Sequence, residues 1–405
     1  MRVLLVTQHF PPETAAGAKR VGAFAGSLSR RFALRVVTLE PGYPDPRLYA
    51  GLDWRAQDAA RGHEVRRRRA FRPHGASLVR RALREIGMSA ALVASAGGRA
   101  DLVLVSTPSM FLAPLAWMSA RLRGARFAWD VRDLTWRYAR ESVRTGALLG
   151  WLLARLEGVM LALLRRTDLV IAATEGLAAV LRGQGVPAGR MVTIPNGVSR
   201  ELLDAFPDPP PPRSGRPRVT YAGLLGYNHG IGILVDVAAR LPHVDFTLVG
   251  DGPERATIES RLRDGGPANV VLRGYVTDAA DLAALYRASD VLVNHVKGTP
   301  TLDDIVFPAK TFEYFATRRP VVHAGRGWAA ELLRERDLAM VVPPGEPEAL
   351  ARGIEQALAD PVRARERCER ARRLVEQDYA REAQAERLGE EIARRFGRGG
   401  AGPAP

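Results

Sequence analysis

Short, continuous apolar runs alternate with segments of helical periodicity along most of the chain. Arg2–Val6 is the first such run, the mark of a parallel strand covered on both faces. Helical sequence follows over Ala18–Arg30, and a second strand is predicted at Leu34–Leu39. Leu102–Ser106, Arg126–Trp129 and Leu169–Ala173 repeat the pattern, each with helical sequence nearby. Strand and helix alternating in this way predict a doubly wound α/β domain over residues 1–206, with ligands at the carboxyl ends of its strands. Residues 207–217 then read PDPPPPRSGRP, which holds neither helix nor central strand and is expected to act as a linker. Beyond it the alternation resumes at Arg218–Ala222, Asp245–Val249, Val270–Leu272, Asp290–Asn294, Pro320–His323 and Ala339–Val342. This predicts a second Rossmann-like domain over 218–379. From Pro347 the chain reads as helical and arginine-rich, and its last residues, 397–405, as a disordered Gly/Pro tail.

Two segments invite a membrane reading. Leu148–Leu164 is long and apolar, yet it carries Arg155 and Glu157 near its middle, each costing about 2.5–3.5 kcal/mol inside a bilayer. An amphipathic helix packed on the sheet is the expectation. Arg66–Arg69, with Arg80 and Arg81 beyond, suits either anionic headgroups or a solvated loop. The first residues, MRVLLVTQHF followed by Pro11-Pro12, read as a buried strand rather than a signal peptide.

Composition changes this picture little. With 405 residues, 46% hydrophobic and 25% charged, the chain is of globular type and long enough for two cores. Its one cysteine, Cys368, excludes an internal disulfide and any cysteine-built zinc site, and fits a reducing cytoplasm. The net charge of +15 points either to an anionic partner or to the arginine bias of a GC-rich genome.

Candidate chemistry lies in three loops. The first, His9-Phe10-Pro11-Pro12-Glu13-Thr14-Ala15-Ala16-Gly17, lacks the spaced glycines of a dinucleotide fingerprint, which disfavours a nicotinamide or flavin enzyme. It offers a stiff corner and Gly17 near a helix start, where backbone amides can approach a phosphate or a sugar. In the second domain, Val249-Gly250-Asp251-Gly252-Pro253-Glu254 is a tight glycine turn after a strand, and Gly274-Tyr275-Val276 follows the next strand, placed to present backbone groups to a nucleobase. The most informative stretch is Phe307-Pro308-Ala309-Lys310-Thr311-Phe312-Glu313. Pro308 pre-sets the first helical turn, so the amides of Ala309, Lys310 and Thr311 are expected to point at an anion, with the Lys310 charge beside them. Glu313 follows one turn on, where a carboxylate accepts from two vicinal ribose hydroxyls at once. The bland alternative is a surface Lys–Glu pair.

Taken jointly, HFPPE with Gly17, Ile194–Val198 (IPNGV), Val249–Glu254 (VGDGPE), Leu272–Val276 (LRGYV) and Pro308–Val322 (PAKTFEYFATRRPVV) resemble the glycosyltransferase family 4 enzymes, in order and over nearly the whole chain. The resemblance is strongest to the bacterial branch that builds surface polysaccharides. It implies a GT-B fold of two facing Rossmann-like domains, with a C-terminal helix near Ala380–Phe396 crossing back to the first. It also implies transfer with retention of anomeric configuration. Glu313 matches the ribose-holding second glutamate of the family's Glu-x7-Glu element, Pro308–Thr311 the helix start that meets the diphosphate, and Gly17 the loop glycine near the transferred sugar. Asn196-Gly197 matches the turn out of the first domain, in a hinge role.

The chain departs from the pattern at three places. Ile305 stands where the first Glu is expected, with Asp303 and Asp304 beside it. In the stretch after the strand that opens the second domain, Gly223–Gly230, Leu224 and His229 replace an Arg and a Lys. Arg132-Asp133 stands where relatives carry a His–Asp pair. Arg132 stays protonated, so only Asp133 can orient or deprotonate an acceptor hydroxyl. The resulting assignment makes Lys310, Asp133 and Arg132 the catalytic candidates. Glu313, Gly17, Ala309, Thr311, His229, Gly223, Tyr275, Val276 and Gly250 are assigned to the donor, and His9 and Glu13 to the acceptor side. No metal site and no cofactor are expected, because no Asp-x-Asp motif stands in place. The expected activity is transfer of a hexose or amino-hexose from a nucleoside-diphosphate sugar to a glycan, lipid-linked glycan or small-molecule acceptor. A nucleotide-sugar epimerase and a non-catalytic scaffold on the same fold are the alternatives. No nucleic-acid partner is expected, since no base-stacking or recognition-helix motif is present. The expected place is the cytoplasm, with peripheral attachment to the anionic inner face of the membrane left open.

Overall fold

The computed structural model describes residues 1–69, 78–107, 109–142, 147–209, 211 and 215–397. The chain divides into two units, Met1–Asn196 together with Arg381–Pro405, and Gly197–Ala380.

The first unit is built on seven parallel strands: β1 (Arg2–Thr7), β2 (Ala33–Leu39), β3 (Glu64–Arg68), β4 (Leu102–Thr107), β5 (Arg126–Val131), β6 (Leu169–Ala172) and β7 (Met191–Thr193). Their order is β3-β2-β1-β4-β5-β6-β7. Val3 pairs with Leu34 on one side and Leu102 on the other, so the winding direction reverses between β1 and β4. The central strands are apolar because helices cover both faces; every residue of β4 is buried. Right-handed crossovers put the helices Leu78–Ser95, Leu112–Leu122 and Ala147–Arg166 on one face, and Ala16–Arg31 on the other. The C-terminal helix Arg381–Phe396 packs against Ala16–Arg31 and adds Leu388 and Ile392 to the core around Leu5, Phe24 and Leu28. Gly389 permits that approach, since a β-carbon there would lie 2.8 Å from Ser27 Oγ.

The arginine run is not a free loop. Glu64–Arg68 is the edge strand β3, paired with β2. Arg66 meets Glu64 at 2.6 Å, Arg67 meets Asp58 at 2.6 Å, and Arg68 Nε donates to Ser95 Oγ. The periodicity hid it because a charged, half-solvated edge strand carries no apolar run; such charge also protects the edge from pairing with another chain. Leu148–Leu164 does lie within a sheet-covering helix, Ala147–Arg166, and no helix of the described residues is long and apolar enough to cross a membrane.

The second unit holds six parallel strands: β8 (Arg218–Ala222), β9 (Asp245–Val249), β10 (Val270–Arg273), β11 (Val291–His295), β12 (Val321–Ala324) and β13 (Met340–Val342), in the order β10-β9-β8-β11-β12-β13. Its reversal lies between β8 and β11, and the helix Ala309–Ala316 follows β11 in the chain. Leu202, Leu203 and Phe206 pack into this unit's core with Phe312, Tyr314 and Phe315. Buried Arg372 fixes that segment by donating to Leu203 O at 3.0 Å. The division therefore falls at Asn196/Gly197 rather than in the proline-rich stretch at 207–217. The tail from residue 398 onward lies outside the described residues.

Candidate active site

In the second unit, the loops leaving β8 and β9 are fastened backbone to backbone. Gly223 N donates to Val249 O at 2.9 Å, Leu225 N to Asp251 O at 2.9 Å, and Glu254 N to Leu225 O at 3.0 Å. Gly250 and Gly252 have φ of 144° and 149°, and a β-carbon on Gly250 would lie 1.8 Å from Gly223 O. Only glycine fits such an approach. The Val249–Glu254 turn is thus a clamp on the β8 loop. Glu254 completes it by accepting from Ile231 N at 2.8 Å.

Lys310 enters this loop from the first turn of the Ala309–Ala316 helix. Its Nζ lies 3.9 Å from the centroid of the Tyr221 ring and donates to Tyr221 Oη, which donates onward to Leu224 O at 2.6 Å. A β-carbon on Gly223 would lie 2.7 Å from Nζ, so Gly223 makes room for the ammonium. Burial pushes the Lys310 pKa down to about 7, with Glu313 opposing weakly. No side chain caps this helix and its first turn holds no acid. The amides of Ala309 and Lys310 have no partner among the described residues. Thr311 differs from expectation: its amide donates to Pro308 O at 2.9 Å, and its buried hydroxyl accepts from Asn294 Nδ2 at 2.8 Å. Thr311 ties the helix to β11 and offers no free amide.

His229 is not a cation here. Burial and the neighbouring Lys310 push its pKa down to about 3. His295 fixes the loop beneath it: its Nε2 accepts from Gly345 N at 3.0 Å, which leaves its Nδ1 as the donor to His229 O. Glu313 lies half-buried one turn beyond Lys310, with Tyr286 Oη at 3.5 Å from its Oε2. Tyr314 locks the same helix to β8, accepting from Ala222 N at 2.9 Å. Ile305 is 1% exposed, so a carboxylate in its place would sit in apolar packing rather than at a surface. Tyr275 and Val276 are half-buried after β10, with Val276 packed on the core.

In the first unit, Glu13 is buried and committed. Its Oε1 accepts from Gly42 N and Tyr43 N, both at 2.8 Å, and its Oε2 meets His9 Nδ1 at 2.7 Å. It cannot face an acceptor; it orients His9, whose ring remains partly exposed. Gly17 and Arg132 are brought together, because a β-carbon on Gly17 would lie 2.0 Å from Arg132 Nη1. The guanidinium thus lies over the first turn of the Ala16–Arg31 helix, which has no side-chain cap and no acid in its first turn. Next to it, burial raises the Asp133 pKa, opposed by Arg132, and Tyr138 Oη lies 3.4 Å from its Oδ1. Asp130 is structural: Arg20 Nη2 reaches it at 2.7 Å and Ser106 Oγ at 2.7 Å, all buried. Among the described residues no group of three His, Cys, Asp or Glu side chains is placed to hold a metal.

Sequence reasoning missed Tyr221 and Lys297. Lys297 approaches the far end of the same loop, where a β-carbon on Gly230 would lie 2.6 Å from its Cε, and its Nζ is 3.5 Å from Glu254 Oε1. The available signal was compositional: the chain has three lysines, Lys19, Lys297 and Lys310, against 56 arginines, and two of the three converge on this loop.

A family model described as "Glycosyl transferase 4-like domain" matches residues 16–197, and one described as "Glycosyl transferases group 1" matches residues 216–360. A lipopolysaccharide core biosynthesis glycosyltransferase, LpsE, of Rhizobium meliloti is 28% identical over 54% of this chain and 62% of its own length. A putative colanic acid biosynthesis glycosyl transferase, WcaI, of Escherichia coli is 25% identical over 89% of this chain and 93% of its own. The chain thus spans about three-fifths of the first relative and nearly all of the second. Among solved structures, sucrose-phosphate synthase from Thermosynechococcus elongatus superposes with a TM-score of 0.73 at 21% identity, covering 97% of this chain and 98% of that one. Anabaena Alr3699/HepE in complex with UDP-glucose gives 0.68 at 18% identity, covering 97% and 99%. Two wound parallel sheets, the clamped glycine loops and matches across both halves lead to one assignment: the chain belongs to the glycosyltransferase family 4 type, with the two-domain Rossmann-like GT-B fold.

Proposed function

We propose that this protein transfers a hexose or amino-hexose from a nucleoside-diphosphate sugar to a glycan or lipid-linked glycan, with retention and without a metal held by the protein. The observation that carries the reading is the desolvated Lys310 at an uncapped helix start, with Glu313 one turn further in. The two relatives described above are named for lipopolysaccharide core and colanic acid biosynthesis, and the Anabaena structure holds UDP-glucose, which supports this donor and acceptor class.

In this reading the diphosphate lies at the amides of Ala309 and Lys310, and Glu313 accepts from the ribose hydroxyls. Cleavage of the sugar–phosphate bond loads negative charge onto the leaving diphosphate. A preorganised donor for that charge is worth on the order of 3 kcal/mol, and Lys310 is the principal one. The Gly223 loop, held by Gly250, keeps the ammonium in place. On the acceptor side, Asp133 takes the hydroxyl proton; its raised pKa makes it a better base than an exposed carboxylate. Arg132 and His9 position the acceptor. Because a lipid-linked acceptor lies at a bilayer, peripheral attachment to an anionic membrane belongs to the same reading.

The test is a hydrolysis screen over UDP-, GDP- and dTDP-sugars in the presence of a chelator, with the released sugar followed by proton NMR. The reading expects one nucleotide to be preferred, the α-anomer to appear first from an α-linked donor, and no loss on chelation. No turnover of any donor, or a first-formed inverted anomer, overturns it. Epimerised donor in the absence of acceptor would assign the chain to the epimerases instead.

A further inference from the structure

In the first unit a cavity of about 570 Å³ lies between the short helix Trp54–Ala59 and the edge strand β3, with Glu40, at the end of β2, in its wall. Its frame is built from residues that satisfy one another. Asp53 caps the helix by accepting from Ala56 N at 3.0 Å. Arg67, almost wholly buried, donates from Nε and Nη2 to Asp58 at 2.6 and 3.0 Å. Its Nη1 reaches Leu39 O at 3.0 Å, and Nη2 also donates to Pro11 O. One guanidinium thus ties the helix, β2 and the first loop to β3. Glu64 is held by Arg35 and Arg66, both at 2.6 Å. What remains for a ligand is Glu40, His63 and Trp54. The Glu40 carboxylate is half-buried and has no partner among the described residues. His63 has both ring nitrogens unpartnered. Burial and the adjacent Arg61 hold its pKa below the ordinary value, against the pull of Asp58, so the ring is neutral, with one donor and one acceptor. Trp54 is half-buried, with Arg67 at 5.3 Å and Arg55 at 4.3 Å from its ring centroid. Arg55 is exposed and outside any ion pair, so it can swing aside and uncover the indole.

We propose that this cavity is a saccharide subsite, which holds a sugar unit of the acceptor glycan other than the one that receives the transfer. An aromatic ring with a few convergent polar groups is the usual make-up of a small-molecule site. Here the set fits a pyranose: its C–H face lies on the indole, while its hydroxyls donate to Glu40 and exchange hydrogen bonds with His63. Other ligands fit less well. The buried cation of the frame is spent on Asp58 and on backbone carbonyls, so a phosphate would find no partner there and would face Glu40. An apolar ligand would leave Glu40 and His63 unsatisfied. Position assigns the sugar to the acceptor. The cavity shares its wall with the first loop: the His63 ring meets Phe10 edge-on at 6.3 Å, and Arg61 lies 5.0 Å from the Phe10 centroid. Glu13 of that loop accepts from Gly42 N and Tyr43 N, just past Glu40. His9, which positions the acceptor in the reading above, belongs to the same loop, so a glycan engaged there can extend along this wall. The inference rests on that reading for the identity of the sugar as acceptor; sugar binding itself is independent of catalysis.

The experiment is saturation-transfer NMR of the full chain with methyl glucoside, methyl galactoside and N-acetylglucosamine, each titrated without any nucleotide. The wild-type protein is expected to bind at least one of them at millimolar concentration, with the strongest saturation on the ring protons of the sugar's apolar face. Inorganic phosphate should not displace it. Trp54→Ala should weaken that binding about tenfold, Trp54→Phe should restore most of it, and Glu40→Gln should weaken it about fivefold. The Tm of each variant reports folding, and Glu40→Gln, at a half-buried position without a partner, keeps the test open if Trp54→Ala fails to fold. Wild-type protein that binds none of the three sugars, or folded variants that bind like wild type, overturns the proposal. So does displacement of the sugar by phosphate, which would make the cavity an anion site. Failure of donor hydrolysis with sugar binding intact would instead count against the catalytic reading alone.

Discussion

Lys310 gives the account its sharpest quantitative prediction. Its pKa is pushed down to about 7 by burial, so near neutrality about half of the molecules carry a neutral amine. A diphosphate placed against Nζ restores a partner for the charge and moves the pKa back toward the ordinary lysine value. Each unit of that return is worth about 1.4 kcal/mol. Binding therefore takes up about half a proton at pH 7 and nearly a full one a unit higher. Affinity should fall about tenfold per pH unit above 7, or roughly fiftyfold between about pH 7 and 9. His229 contributes nothing in this window, because its pKa is pushed down to about 3. The assay is calorimetric titration of the nucleoside diphosphate in two buffers of different ionisation enthalpy, repeated with Lys310→Met. The variant should bind more weakly at pH 7 and show no buffer-dependent heat. Stability runs the opposite way: the unfolded chain binds the extra proton between about pH 7 and 10.5, so the cost of the buried charge is complete below 7 and fades as pH rises. Lys310→Met should accordingly raise the Tm at about pH 6 and lose that advantage by about pH 10. Affinity that stays flat from about pH 7 to 9, with equal heats in both buffers, would refute the reasoning.

Other residues are open to comparable tests. Lys297→Gln should weaken nucleoside-diphosphate binding about tenfold and nucleoside-monophosphate binding much less, as expected of a second cation at the diphosphate; equal losses would make it merely structural. Gly250→Ala forces a β-carbon to 1.8 Å from Gly223 O at φ 144° and should cost on the order of 3 kcal/mol in chemical denaturation. The atoms nearest a β-carbon in Gly17→Ala are all at the far end of the Arg132 side chain, so denaturation should move by less than about 1 kcal/mol while turnover falls; the reverse pattern would make Gly17 a packing residue. Asp133→Asn should lower kcat with little change in donor affinity, checked by comparing donor hydrolysis with transfer.

The wound sheets were legible because strands buried on both faces must be apolar over their whole length, as β1 and β4 are. Strand β3 was not, since Val65 is its one apolar residue on the core and its arginines are set by solvent and by Asp58. At the site, the helix start at Pro308 and the place of Glu313 followed from local rules. The commitments of single atoms did not. Thr311 turns its amide onto Pro308, Glu13 gives one oxygen to the loop after β2 and the other to His9, and His229 loses its charge to burial. Tyr221 was invisible because nothing in its strand distinguishes a core tyrosine from one whose hydroxyl holds a lysine.

The claim at the centre is that the second unit grips a pyrophosphate and its ribose along a single helix, Ala309–Ala316. Titration of wild-type protein and Glu313→Ala with UDP, GDP and dTDP tests it directly. The account predicts saturable binding of at least one of them by the wild type and a loss of about tenfold or more in the variant, greatest when the ligand carries both ribose hydroxyls. Wild-type protein that binds none of the three, or a variant indistinguishable from it, would contradict the account.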